Sequence, residues 1–210
     1  MPAVREKVGF IFECGRNGPD FQVCNYLLAQ LDSGIEMKAE FLDNKSKLLN
    51  ECGAVAALLL EVARCNRVVV VWDLEPPWGG TACRRLDREK ALTSLAAAGV
   101  SLEKVHLLCI ERELECWLMA DKRALRAVLE QIIHPHRVGQ IPEYRRPDEQ
   151  IGRPKRDLIR LFERERGLGR KYVDREHALR LARAIPDWSK LRRSASFRRF
   201  AEKAARVALD

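Results

Sequence analysis

Short, nearly continuous apolar runs punctuate the first two thirds of this sequence, and each leads into a stretch with helical spacing. Val8 to Glu13 (VGFIFE), Val68 to Trp72 (VVVVW) and Val105 to Ile110 (VHLLCI) are such runs, and Glu36 to Leu42 alternates apolar with polar. A strand with no polar side has no face to give to water, so it must be covered on both sides. The intervening segments supply the cover. Asp20 to Leu31 places apolar residues at 21, 23, 24, 27, 28 and 31. Ser46 to Cys65 is rich in alanine and leucine, with a cap expected at Asn44 or Ser46. Ala82 to Ala98 stops before Gly99, and Glu111 to Gln131 (ERELECWLMADKRALRAVLEQ) reads as one strong helix. Four alternations of strand and helix call for an α/β fold: a mostly parallel four-stranded sheet flanked by helices.

Beyond Ile133 the texture changes. HPHRVGQIPEYRRPDEQIGRPK is rich in Pro, Gly and Arg and reads as an ordered loop, after which helices resume at Asp157–Arg166, Arg175–Ala184 and Ser196–Ala208. The expected division is an α/β domain over residues 1–133 and a basic, loop-then-helical extension over 134–210 packed on it. Charge follows the same line. Residues 1–144 hold 18 Lys and Arg against 20 Asp and Glu, whereas residues 145–210 hold 20 against 10. An acidic-leaning body with a basic tail suits a polyanion held by one part and processed by the other; the plainer reading is an arginine-rich, solvated helical surface.

Other classes recede. No apolar run approaches the roughly 18 residues that span a bilayer, and the first twenty residues lack a signal-peptide core. Seven scattered cysteines without a CxxC pair read as buried free thiols of a reducing compartment, so a cytoplasmic location is expected and no membrane partner. Only His134-Pro-His136 approaches zinc-ligand spacing, which is too little for a site.

Acids gather where such a sheet places its chemistry, outside the carboxyl ends of the strands. Glu13 closes the first strand, Asp73 and Glu75 close the third, and Glu111, Glu113 and Glu115 follow the fourth. In extended chain, residues 73 and 75 point the same way. On a helix, 111 and 115 share a face while 113 lies elsewhere. Converging carboxylates raise one another's pKa unless a positive charge stands between them, and a hard divalent cation, Mg2+ or Mn2+, is the natural guest. The GRNGP loop (15–19) lacks the spacing of a nucleotide-binding fingerprint and reads first as a tight turn. Arg84, Arg85, Arg88 and Lys90 either line the crevice or form a wet helix face. Trp117 reads as core or crevice wall, and Phe197 and Phe200, among Arg192, Arg193, Arg198 and Arg199, read as anchors of the last helix.

These residues resemble the TOPRIM domain, a Rossmann-like, metal-binding α/β module with a glutamate after its first strand and a D-x-D after its third. Glu13 in FIFECG stands at the glutamate, and Asp73-Leu74-Glu75 at the D-x-D. The chain is most similar to small stand-alone TOPRIM-like proteins related to the nuclease half of the OLD (overcoming lysogenization defect) family. These carry E-[IL]-E-x-W-L-x-A-D, matched here by Glu113 to Asp121 (ELECWLMAD); GRPKRDL, Lys171-Tyr172 and SFRRF also resemble that group's tail. The second D-x-D position is Glu75, one methylene longer, and Asn17 stands where that nuclease branch often has an acid.

The resemblance implies Glu13, Asp73 and Lys155 as catalytic residues, with Lys155 on a substrate phosphate. It implies Glu13, Asp73, Glu75 and Glu115 as metal ligands, with Asp20 and Glu111 the candidates for a second ion. Arg84, Arg85, Arg88, Arg153, Lys171, Arg192, Arg193, Arg198 and Arg199 are the candidate nucleic-acid contacts. The expected function is a Mg2+- or Mn2+-dependent phosphodiester hydrolase acting on DNA or RNA, an effector suited to phage defence. The alternative is a non-catalytic or partner-activated subunit working with a separate ABC-type ATPase, since this chain has no P-loop. A phosphoacceptor receiver fits poorly, because it needs adjacent acids after the first strand and Glu13 is followed by Cys14. A topoisomerase fits poorly because Tyr26, Tyr144 and Tyr172 lack the setting of a nucleophile on a separate domain.

Overall fold

A computed structural model describes residues 5–75, 82–132, 138–166 and 172–209. Four strands, β1 (Glu6–Phe12), β2 (Ile35–Phe41), β3 (Arg67–Asp73) and β4 (Val105–Ile110), form one sheet in the order β2-β1-β3-β4. All three pairings are parallel. The chain moves outward from β1 to β2, then back across to β3 and on to β4. Because crossovers between parallel strands are right-handed, the two directions of travel use opposite faces. Helix α1 (Pro19–Leu31) accordingly packs on one face, and α2 (Lys45–Glu61) and α3 (Arg84–Ala97) pack on the other.

Alternation along the strands sorts the core. Phe10, Phe12, Val69, Val71, Leu108 and Ile110 face α1, while Ile11, Val68, Val70, Trp72, Leu107 and Cys109 face α2 and α3. The expected helix signals are in use. Asn44 caps α2, its side chain accepting from the Lys47 N–H at 2.9 Å. Helix α3 ends in a Schellman turn, with Gly99 at φ 66°, its N–H on the Ala96 carbonyl and the Val100 N–H on the Leu95 carbonyl. Gly53 lets α2 and α3 touch, since a Cβ there would stand 2.0 Å from the Ser94 carbonyl oxygen.

The segment expected as one helix from Glu111 to Gln131 is broken. Arg112 takes a left-handed φ of 64°, a single turn α4 (Glu115–Leu118) follows, and α5 (Lys122–Glu130) starts afresh with Asp121 as its cap. The break is fixed by tertiary bonds: the Arg112 guanidinium reaches Glu75 at 2.9 Å and the carbonyls of Asp148 and Gly152.

Further helices are α6 (Pro147–Gln150), α7 (Pro154–Arg166), α8 (Asp174–Ala184), α9 (Trp188–Leu191) and α10 (Ala195–Phe200), the last continuing into a π-helical turn over Ala201–Ala205. They bury their apolar sides in the same core as α1, so Leu158, Phe162, Leu181 and Phe197 join Phe10, Val23 and Val69 in one cluster. Trp117 is fully buried, with the Phe197 ring edge-on at 5.3 Å and its indole N–H on the Ser196 hydroxyl at 2.8 Å. Phe197 and Phe200 are anchors, as their spacing implied, and Trp117 is core. Arg67, 2% exposed, ties the start of β3 to Glu6 and to the carbonyls of Lys203 and Ala204. All seven cysteines are free thiols, and among the described residues no helix is long and apolar enough to cross a membrane.

Candidate functional site

The strand order changes direction between β1 and β3, and at such a switch point the diverging connections leave a crevice at the strands' carboxyl ends. Glu13 follows β1 there and Asp73 ends β3. They meet: a Glu13 carboxylate oxygen accepts the Asp73 backbone N–H at 2.7 Å. One Asp73 oxygen accepts from the Leu114 N–H at 3.3 Å, while the other is buried with no partner among the described residues. Both acids line a cleft of about 320 Å³.

The broken segment after β4 completes one wall. With Arg112 turned left-handed, Glu113 and Glu115 both reach the cleft. Glu113 accepts the Lys155 backbone N–H at 2.9 Å, and Glu115, 3% exposed, accepts the Tyr172 hydroxyl at 3.2 Å. Glu113 was expected to lie elsewhere on a continuous helix; the kink at Arg112 is what brings it in. Asp20, from the first turn of α1, lines the cleft as well. Glu75 lines it too, with its carboxylate engaged by Arg112.

Two lysines oppose these acids. Lys155 enters from the first turn of α7 and donates to Asp174 at 2.7 Å. Lys45, buried at the start of α2, donates to the Leu74 carbonyl at 2.7 Å. Neither Lys45 nor Asp174 carried a signal in the sequence: each is an unremarkable charge at a helix start, and only the fold turns it inward.

Burial shapes the electrostatics. It pushes Glu13 up to about 7, against the Asp73 N–H and the Lys45 charge, which pull the other way. Burial likewise raises Glu115 to about 7 and Asp20 to about 6, with Lys155 opposing in both cases. Asp73 is held well above the usual carboxylate range by burial and then by the charges of Asp20 and Glu13. Burial weighs against the charge of Lys155, but Asp174, Glu115 and Glu113 raise its pKa overall, so it stays cationic. The cleft is therefore short of positive charge.

The donors suit a hard divalent cation, being carboxylate oxygens with a buried, unpartnered Asp73 oxygen among them. Among the described residues, however, no three Cys, His, Asp or Glu side chains are grouped to hold an ion. Several acids are instead held by the protein's own donors: Glu13 by an N–H, Glu113 by another, Glu115 by Tyr172 and Glu75 by Arg112. Taking up a cation requires some of these side chains to exchange those bonds for the ion.

Among the described residues, the remaining expected ones lie outside this cleft. Glu111 does not line this cleft. It is ion-paired to Arg84 at 2.7 Å and Arg199 at 2.9 Å, because the turn at Arg112 sends residues 111 and 113 apart, and its expected role beside Asp20 at a second ion loses its geometry. Arg85 pairs with Glu89 on its own helix, and Arg153 is exposed. Arg193 reaches Glu143, while Arg192 and Arg198 are exposed. Lys171 lies outside the described residues, as do His134, His136 and the Pro76-Pro77 stop after β3. The GRNGP loop closes as a tight turn, with the Gly18 N–H on the Gly15 carbonyl at 2.7 Å.

Fold and site together define a doubly wound α/β protein whose switch-point crevice is an acidic cleft closed by lysines. The chain belongs to the DUF4276 family, described as a domain of unknown function, whose model matches residues 26–203. No curated protein and no solved structure gave a match.

Proposed function

We propose that the protein is a Mg2+- or Mn2+-dependent phosphodiester hydrolase acting on a nucleic-acid strand, in keeping with its resemblance to TOPRIM-like nucleases. The observation that carries this reading is the meeting of Glu13 and Asp73 at the switch point, with one Asp73 oxygen buried and unpartnered. Glu13, Asp73 and Glu115 are the residues that would hold the cation; when bound, it would supply the positive charge that lets a phosphate enter an acidic cleft and would polarise the phosphorus centre. Lys155 remains protonated and neutralises a non-bridging phosphate oxygen. Glu113 positions Lys155 through its backbone, and Asp174 holds the ammonium. Glu75, held by Arg112, serves as a wall. A cleft carboxylate left off the cation and raised towards neutrality takes the proton of the attacking water.

Purified protein incubated with Mg2+ or Mn2+ and with plasmid, single-stranded DNA and tRNA is expected to cleave at least one of them. Asp73→Ala should lower the rate by at least about 10²-fold while leaving the circular dichroism spectrum unchanged. Cleavage at the wild-type rate by a folded Asp73→Ala protein would remove this reading.

A further inference from the structure

A second cavity lies on the face of the sheet that α2 and α3 cover, at the free edge of β4. Its volume is about 310 Å³, and four cationic side chains line it: Arg84 and Arg88 from α3, Arg199 from α10 and Lys203 from the π-helical turn. Its apolar wall includes Trp72, whose buried indole N–H has no acceptor among the described residues. We infer that this cavity between α3 and the C-terminal helix is a phosphate-binding site, separate from the acidic cleft.

The arrangement of charge favours that ligand. Four cations converge, and one carboxylate, Glu111, bridges two of them at the rim. Lys203 reaches the Leu107 carbonyl at 2.8 Å, and Arg199 also reaches the Cys109 carbonyl. Arg88 makes no hydrogen bond or ion pair with a described residue. Burial, and then the charges of Arg199, Arg88 and Arg84, hold Lys203 below the usual lysine range. Crowded cations with spare donors are relieved by an anion with several acceptor oxygens, and guanidinium groups match the geometry of phosphate. A volume at the low end of small-molecule sites, about 300–1,000 Å³, accommodates a phosphate with part of an attached sugar. The ligand class is thus a phosphate group, either at the end of a small phosphorylated molecule or strand, or within a strand. The cavity would take a phosphate whether or not the acidic cleft cleaves anything.

The test is calorimetry on metal-free full-length protein in EDTA at low salt, so that no cleavage can occur. Inorganic phosphate should bind saturably, with affinity about tenfold weaker in Arg88→Glu, whose exposed position spares the fold, and also weakened in Lys203→Glu. Asp73→Ala should bind as the wild type does. A 5′-phosphorylated trinucleotide that binds more tightly than its 5′-hydroxyl form would assign a terminal phosphate. Equal binding of the two, still weakened by Arg88→Glu, would assign a phosphate within the strand. Absence of phosphate binding, or affinity unchanged in a folded Arg88→Glu protein, overturns the inference.

Discussion

At the scale of single residues, Glu115 carries the clearest consequence. It is almost wholly buried, its carboxyl is raised from 4.5 to about 7, and burial is the main cause. A carboxyl with a folded pKa above its unfolded one favours folding while protonated, and that advantage is lost as pH rises through the folded value. The metal-free protein should therefore lose stability between about pH 4.5 and 7. Glu115→Gln keeps an acceptor for Tyr172 and removes the charge. It is expected to stabilise the metal-free protein by up to about 3 kcal/mol at pH 8 and by little at pH 4.5, as read from urea midpoints at the two values. Equal effects at both would mean that the carboxyl is not titrating as its burial requires. The acids at the strand ends were legible in the sequence because strand ends are legible: a valine run that stops on Trp72-Asp73 announces where its carboxylate will sit. Lys45, Asp174 and the inward turn of Glu113 were not, since each depends on which face a connecting segment takes.

At the scale of elements, local pattern and tertiary contact sometimes disagree. ERELECWLMADKRALRAVLEQ has helical spacing throughout, but Arg112 gains Glu75 and two carbonyls by adopting a left-handed turn. A left-handed non-glycine residue costs roughly 1–2 kcal/mol, less than those bonds return. Strand positions and the caps at Asn44 and Gly99 were readable because they rest on neighbours in sequence. The break was not, because its partners lie some forty residues away, Glu75 before it and Asp148 and Gly152 after it. Contact between α2 and α3 rests on a missing side chain at Gly53, a position where the sequence shows only a glycine in a helix. Gly53→Ala places a methyl 2.0 Å from the Ser94 carbonyl oxygen, a backbone atom that cannot rotate away. Despite alanine's higher helix propensity, the variant should be destabilised by about 1–3 kcal/mol, measured as a shift of the denaturant midpoint. A neutral or stabilising result would mean that the two helices slide apart freely.

For the whole molecule, the basic extension and the α/β body share one core rather than forming separate units. The charge step near residue 145 marks a change of surface, whereas the apolar cluster runs through α1, α5, α7, α8 and α10 without a boundary. Arg67 ties β3 to carbonyls more than 130 residues on. Arg67→Met leaves those carbonyls without their donor and Glu6 with Arg206 in place of two cations, and a loss of about 3 kcal/mol is expected. Limited proteolysis should then cut first in the C-terminal helices; wild-type protease resistance in this variant would show that apolar packing alone holds them. The same interleaving bears on how the protein is made. Lys155 and Asp174 of the cleft lining, and Tyr172 on Glu115, lie far downstream of Glu13 and Asp73, so a nascent chain halted on the ribosome at residue 150 has all four strands but lacks these groups. A truncated product carries the acids and Lys45 without Lys155 to oppose them.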